Sequence, residues 1–142
     1  MNLQTSQRPA LETALELLAR IRGAATERGL ALAAAVVDDA GNVIASQRMD
    51  GAALGALPLA VGKAYTAVLW AAPTRDFAAS TQPGGDDWAW NTTDPRIVVY
   101  AGGIPLLVGG SLVGGVGASG ATAPEDDECV VAAARAVGFE VG

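Results

Sequence analysis

Apolar side chains recur at spacings of three and four along residues 6–28, a periodicity typical of an amphipathic α-helix. Pro9 suits the first turn of this helix, and Gly29 is well placed to end it. The predicted buried face carries Leu11, Leu15, Leu18 and Ile21. The chain is therefore expected to open with a helix that packs on a neighbouring layer.

Two strand-like runs follow, residues 30–38 and 43–50, joined by Asp39-Ala40-Gly41-Asn42. Two such runs around a short turn predict a β-hairpin. Residues 57–72, led by Pro58, are apolar on all sides and predict a buried helix of about four turns. A break at residues 73–76 then predicts a short helix that includes Phe77.

Residues 80–95 turn polar and contain Gly84-Gly85, which predicts a long loop of a kind that often has a function. Beyond this loop the apolar runs predict three more strands, at Ile97–Ala101, Ile104–Val108 and Leu112–Ser119, with a tight turn at residues 109–111.

The acidic run Glu125–Glu128 follows Pro124 and predicts the start of a final helix, because carboxylates stabilise the positive end of the helix dipole. Its buried stripe would carry Val130, Ala133, Ala134 and Val137.

The element order is helix, hairpin, helices, three-stranded meander, helix. It predicts an α+β fold, with one antiparallel sheet of about five strands and helices packed on it. One domain is expected to span residues 1–142.

Charge and composition narrow the range of functions. The net charge is −6 with no basic cluster, which argues against binding to nucleic acid or to an anionic membrane. With no histidine and one cysteine, no metal site is expected. The single Cys129 fits a reducing compartment, and no leader pattern is visible, so a cytoplasmic location is predicted. Pro58, Gly62 and Lys63 argue against a membrane span within residues 52–72.

Lys63 is the only lysine of the chain, and it lies in the most apolar segment. Its helical neighbours at spacings of three and four include no acid, so any counter-charge must come from another element. One hypothesis places Lys63 in a pocket between residues 48–52, the 102–105 turn and the start of the last helix. Asp50, an acid among residues 125–127 or a bound anion would then hold its charge. The alternatives are a lysine that reaches water at the helix edge and a structural ion pair.

Other residues allow two interpretations each. Arg48 and Asp50 share one face of their strand and form either an exposed ion pair or the mouth of a pocket, with Met49 on the other face. The strand glycines predict bulges and close backbone approach, or else room for a ligand. Trp88 and Trp90 either stack on a flat ligand or seal a subunit interface.

Several short motifs occur together in an order that resembles the GlcG/HbpS family, the haem-degrading or haem-binding domain that also forms the C-terminal part of PduO-type proteins. The resemblance covers nearly the whole chain. It is carried by Asp39-Ala40-Gly41, Arg48-Met49-Asp50-Gly51-Ala52, Lys63-Ala64-Tyr65-Thr66-Ala67, Gly102-Gly103-Ile104-Pro105, residues 114–120 and Asp127-Glu128.

This resemblance implies an α/β sandwich, homo-oligomers from dimers upward, and in some members a bound haem or corrinoid. The chain departs from the haem-binding pattern because it has no histidine. An axial iron ligand would have to be Met49, Tyr65, Tyr100, Cys129, a hydroxyl or water. Weak haem binding without a bis-imidazole spectrum is therefore expected.

Two functions of different class remain open at this point. The first is an oligomeric small-molecule-binding protein that takes haem or another tetrapyrrole or corrinoid. The second is a cofactor-independent enzyme, an isomerase, lyase or hydrolase that acts on a small carbonyl or carboxylate compound. The candidate catalytic residues are Lys63, Asp50 and Glu125. The candidate ligand-binding residues are Arg48, Met49, Tyr65, Thr66, Gly102, Gly103, Pro105, Ser119 and Trp88.

Overall fold

A computed structural model describes residues 1–141 of the chain. The helices in these residues are α1 (Leu11–Glu27), α2 (Ala56–Trp70) and α3 (Ala123–Val137). The strands are β1 (Ala33–Asp38), β2 (Val43–Arg48), β3 (Gly103–Val108) and β4 (Ser111–Ser119). Two 3-10 turns, Thr74–Phe77 and Trp90–Thr92, lie in the long connection between α2 and β3. The first of them takes the place of the short helix predicted around Phe77.

The strands form one antiparallel sheet in the order β2–β1–β4–β3. The predicted turn between β3 and β4 is present, and both Gly109 and Gly110 have positive φ angles, of 57° and 76°. Such angles fit the twist of a two-residue hairpin and cost glycine little. The predicted α+β class is confirmed. The predicted count of about five strands is wrong, because residues 1–141 contribute four strands to the sheet.

The predicted strand Ile97–Ala101 packs on α2 and does not pair with the sheet. The Val98 amide donates a hydrogen bond to Oγ1 of Thr66 at 2.9 Å, and Ile97 packs in a cluster with Tyr65. An apolar run of this length can pack on a helix as well as pair in a sheet, so the sequence pattern alone did not distinguish the two.

Other groups occupy the edge of the sheet that this segment was expected to extend. Oγ1 of Thr74 accepts a hydrogen bond from the Gly103 amide at 3.0 Å, at the start of β3. Near the end of β3, the Glu140 amide donates to the Leu107 carbonyl at 3.1 Å. Contacts from the α2–β3 connection and from the end of the chain therefore cover β3 at both ends.

The helices lie on both faces of the sheet. Side chains of β1 alternate, so that Ala34 and Val36 join the core cluster with α1 and α3, whereas Ala33 and Val37 contact α2. α2 is also covered on its outer side by residues 97–99. This double burial explains why its sequence is apolar on all sides. No helix within residues 1–141 combines the length and apolar character needed to cross a membrane.

α1 begins at Leu11, five residues later than predicted, and its buried face differs from the predicted one. Leu11 and Leu15 are 55% and 51% exposed. The prediction relied on large side chains, whereas the packed face also uses small ones that let the helix approach its neighbours. The buried residues are Ala14, Leu17, Leu18, Ile21 and Ala25.

α2 lies close to the sheet, because β3 and β4 present glycines to it. A Cβ atom at Gly117 would collide with the Ala60 carbonyl oxygen, and one at Gly103 would collide with the Lys63 carbonyl. Strand glycines often mark such close backbone approach. The glycine-rich strands thus bring Lys63 to the end of the sheet where β3 begins and β4 finishes.

Candidate functional site

Lys63 forms a buried ion pair with Asp126 of α3. Its Nζ atom donates to Oδ2 of Asp126 at 3.0 Å and to the carbonyl oxygen of Ala118 at 3.0 Å. The two residues are 2% and 1% exposed. Oδ1 of Asp126 accepts a hydrogen bond from the Ala121 amide at 3.0 Å. The pair therefore connects α2 on one face of the sheet with α3 on the other, at the end of β4.

Burial raises the pKa of the Asp126 carboxyl, while the hydrogen bond and charge of Lys63 oppose that rise. The ionised form of Asp126 thus depends on the lysine beside it. Gly102 has a φ angle of 124°, and a Cβ atom there would lie 2.8 Å from the Lys63 amine. Glycine at this position leaves the space that the pair occupies.

The counter-charge of Lys63 comes from one of the acids at the start of α3 that the sequence suggested. Asp50 is exposed in the turn after β2. Glu125 belongs to a capping box, in which its backbone amide donates to Oγ1 of Thr122 and its carboxylate accepts from Thr122. These hydrogen bonds lower the pKa of Glu125. In this arrangement Glu125 is held as an ionised helix cap.

The remaining predicted residues at the end of β2 follow the alternation of a strand. Arg48 is exposed, whereas Met49 packs against the main core and its Sδ atom accepts a hydrogen bond from the Leu32 amide at 3.3 Å. Ser119, at the end of β4, is 6% exposed, and Pro105 is buried within β3. Trp88 lies in the long loop and is 60% exposed.

A groove of about 510 Å³ runs along the outer side of α2, away from Lys63. Its lining comes from α2, from the segment that follows the long loop, and from Gly41 of the β1–β2 turn. The helix supplies Leu57, Pro58, Leu59, Val61, Gly62 and Tyr65, and the opposite wall supplies Pro95, Arg96 and Val98. We refer to this surface as the α2 groove. Its walls are mainly apolar, and Arg96 is the cation among these lining residues.

Tyr65, Asp94 and Arg96 form a connected polar group at the α2 groove. The Tyr65 hydroxyl donates to Oδ2 of Asp94 at 2.7 Å, and two guanidinium nitrogens of Arg96 donate to the same carboxylate at 2.9 and 3.1 Å. The guanidinium lies 4.1 Å from the centre of the Tyr65 ring. The Arg96 hydrogen bonds lower the pKa of Asp94, and burial raises the pKa of Tyr65. The group holds Arg96 over an aromatic face.

Thr66 fixes the far wall of the α2 groove to the helix. Its hydroxyl donates to the Gly62 carbonyl at 2.7 Å and accepts from the Val98 amide at 2.9 Å. A Cβ atom at Gly62 would collide with the Val98 side chain. The predicted site residues therefore divide between two sides of α2, with Lys63 and Gly103 on the sheet side and Tyr65 and Thr66 on the outer side.

Asp94 and Arg96 were absent from the predicted site, and Asp126 was predicted only as one of the acids among residues 125–127. Asp126 lies three and four positions before Cys129 and Val130, so the buried stripe of α3 could have identified it as an inward-facing acid. Asp94 and Arg96 flank Pro95 at the end of the polar loop, and no periodic signal in the sequence connects them with Tyr65.

The side chains considered as iron ligands are mostly engaged elsewhere. Met49 accepts from the Leu32 amide, and the fully buried Cys129 sulfur accepts a hydrogen bond from Arg28 at 3.0 Å. Burial raises the pKa of this thiol. The Tyr65 hydroxyl is bonded to Asp94. Tyr100 is 59% exposed and does not line the α2 groove. None of these four side chains is placed as a ready iron ligand in the groove.

Comparison with known proteins gives consistent matches. A family model described as haem degrading protein HbpS-like matches residues 10–135. An uncharacterised 15.0 kDa protein in the dhaT–dhaS intergenic region of Citrobacter freundii is 32% identical over 117 residues, 82% of each chain. The crystal structure of Klebsiella pneumoniae protein ORFY has a TM-score of 0.90 at 30% identity, covering 96% of this chain and 97% of that one. The crystal structure of a PduOC–haem complex has a TM-score of 0.89 at 25% identity, covering 94% of this chain and 97% of that one.

Proposed function

Because this chain belongs to the HbpS-like family, we propose that it is a small-molecule-binding protein that takes a tetrapyrrole or a similar flat, carboxylate-bearing ligand in the α2 groove. The observation that carries this proposal is the groove itself, an open apolar cleft with a single cation among its lining residues. The solved complex of a related PduOC with haem supports the ligand class.

The chemistry of the α2 groove matches a ligand with an apolar face and an acidic edge. Leucine, valine and proline side chains form its walls, and their burial against a flat hydrocarbon surface would drive binding. Arg96, held in place by Asp94 and Tyr65, offers charge-assisted hydrogen bonds to a carboxylate. The volume falls in the range of small-molecule sites.

Iron ligation does not fit the groove, because its one candidate ligand, Tyr65, is bonded to Asp94. Binding should therefore depend on the shape and carboxylates of a porphyrin rather than on its metal. Titration of the protein with protoporphyrin IX and with haemin, followed by tryptophan quenching, tests this. We expect equal affinities and no low-spin bis-imidazole spectrum. Binding of haemin much tighter than that of protoporphyrin IX would show that the iron is ligated and would contradict the proposal.

Variants of the groove test its location. Leu59→Asp introduces a charge into the apolar wall at a side chain that is 40% exposed, so the fold should tolerate it while porphyrin binding is lost. Leu15→Asp, at a 51% exposed leucine of α1, is the matched control. Arg96→Gln should weaken binding about three- to tenfold, the scale of one exposed charge-assisted contact, and Arg135→Gln on α3 should not. Unchanged binding in Leu59→Asp would refute the groove assignment.

The alternative of a cofactor-independent enzyme would use Lys63 as base, Schiff-base amine or oxyanion partner, with Asp50 or Glu125 as proton carrier. For this role the buried Lys63–Asp126 pair would have to open, and the cap at Glu125 would have to release its carboxylate. A direct test is borohydride trapping with small carbonyl compounds, followed by peptide mass spectrometry. Because the chain has one lysine, labelling at Lys63 would favour the enzyme, whereas its absence alongside porphyrin binding would favour the binding protein.

We also propose a homo-oligomer, at least a dimer. Large apolar side chains remain exposed in the described structure, among them Leu54 and Tyr100 at 81% and 59%. Extensive exposed apolar surface is typical of subunit contacts.

We further propose a cytoplasmic location. The chain has a single cysteine, which is buried and free, and a lone free thiol fits a reducing compartment.

A further inference from the structure

A second recess lies at the C-terminal end of α2 and is lined by Trp70, Phe77, Asp87 and Trp90. Its volume is about 280 Å³, and we refer to it as the aromatic recess. Three of its four lining side chains are aromatic and the fourth is a carboxylate. We propose that the aromatic recess binds a small organic ammonium cation, such as a quaternary or alkylated amine.

The rings are inclined to one another and do not stack flat. Trp70 and Trp90 have centroids 5.8 Å apart with planes at 61°, and Phe77 and Trp90 have centroids 5.4 Å apart at 50°. These separations and angles are those of aromatic rings in direct contact, so the recess is bordered by one aromatic cluster. The π faces of aromatic rings attract cations electrostatically, and proteins use this attraction to recognise quaternary ammonium groups.

Asp87 gives the aromatic recess a negative charge. Its backbone amide donates to the Ser80 carbonyl at 3.0 Å, which fixes the loop at this point. Within residues 1–141, no ion pair or hydrogen bond engages its carboxylate. A cation in the recess would therefore meet an acid that no protein cation has already neutralised. The α2 groove differs in this respect, because its lining cation, Arg96, is paired with Asp94.

The backbone around the recess is held in an uncommon conformation. Ala71 and Ala89, which follow Trp70 and precede Trp90, have φ angles of 48° and 68°. At Ala71 this left-handed conformation ends α2, as is common at helix C-termini, whereas at Ala89 it is uncommon for a residue other than glycine. Trp70 remains 60% exposed even though it contacts Trp90, so the recess is open to solvent in this structure.

The decisive experiment compares choline with its neutral carbon isostere 3,3-dimethyl-1-butanol. The two have the same shape and differ in charge, and tryptophan emission reports on both because Trp70 and Trp90 line the site. At constant ionic strength we expect saturable binding of choline and roughly 5- to 30-fold weaker binding of the alcohol. Equal binding of the two compounds, or no saturation by choline up to on the order of 100 mM, would overturn the proposal.

Two pairs of measurements locate the site and exclude another occupant. Asp87→Asn should weaken choline binding without changing binding of the alcohol, and Asp86→Asn, at the adjacent exposed acid outside the lining, should change neither. Trp70→Leu, at an exposed side chain, should remain folded, and the emission of the remaining Trp90 should no longer respond to choline. If Trp70→Leu instead shifts sedimentation toward monomer while the wild-type protein gives no choline response, the recess is a contact between copies and the cation site is refuted.

Discussion

Replacing Lys63 with methionine is expected to leave the Asp126 carboxylate buried without its counter-charge. Lys63 and Asp126 are 2% and 1% exposed, and their N–O distance is 3.0 Å. Breaking a buried pair by removal of one partner costs about 3–5 kcal/mol of unfolding free energy. Methionine nearly preserves the length and apolar stem of lysine, so little of this loss should come from packing. The Arg20→Met variant is the control, since Arg20 forms an exposed pair with Glu16 on α1, worth about 0.5 kcal/mol or less.

The loss should also depend on pH. The pKa of folded Asp126 is raised above its ordinary value of 3.8, and it should rise further once Lys63, which lowers it, is gone. The folded state then binds more protons than the unfolded state between the two pKa values. Stability in that window therefore falls as the pH rises, by about 1.36 kcal/mol per pH unit where the difference is fully developed. Lys63→Met should thus be less destabilised, relative to wild type, at pH 5 than at pH 7.

Urea unfolding followed by circular dichroism at one fixed protein concentration measures this, because an oligomer's apparent stability depends on concentration. The double variant Lys63→Met/Asp126→Asn keeps an acceptor for the Ala121 amide and removes the buried charge. It should be about 1–3 kcal/mol more stable than Lys63→Met alone. A loss below about 1 kcal/mol at pH 7, or a loss that is the same at both pH values, would refute the reasoning.

Three further predictions concern the sheet, the α2 groove and assembly. Gly117→Ala should lower the free energy of unfolding by about 1–3 kcal/mol in urea, because the added Cβ would collide with the Ala60 carbonyl. The control Gly23→Ala, where no atom lies near the added Cβ, should stabilise α1 by about 0.5–1 kcal/mol. Asp94→Asn should reduce the acid sensitivity of the fold. Because the pKa of folded Asp94 is lowered, its carboxylate stabilises the fold at pH values above 3.8, its ordinary pKa, and this stabilisation is lost as the pH falls below 3.8. Acid titration of wild type and variant checks this, and identical unfolding curves would contradict it. Sedimentation at micromolar concentration should show at least a dimer, and a monomer alone would contradict the proposed assembly.

Much of the local structure could be predicted because it is set by neighbours along the chain. The start of α3 near Pro124 and its acids and the turn at Gly109-Gly110 were visible as capping and turn signals. The apolar character of residues 57–72 indicated a buried helix, and it also made the single lysine conspicuous. These features depend on interactions within a few residues, which the sequence displays directly.

The partners of the site residues were decided by tertiary packing. Lys63 and Asp126 are 63 positions apart, and the sequence offered several acids and a bound anion for the same role. Their meeting requires the glycines of β3 and β4 to bring α2 close to the sheet, so that the lysine amine reaches the end of β4. The hypothesis that Lys63 has a partner from another element was correct. Which of the candidate acids becomes that partner depends on distances in the folded protein, and the spacing of residues along the sequence does not give these distances.

The α2 groove and the aromatic recess both depend on where the long connection between α2 and β3 lies. Its apolar end, residues 97–99, has the pattern of a strand, yet it packs on α2, while other groups contact β3 at both ends. That choice brings Arg96 over Tyr65 and Trp90 against Trp70. The sequence determines that these residues are aromatic or charged. Only the competition between two packing surfaces, settled by the whole fold, determines which of them face one another.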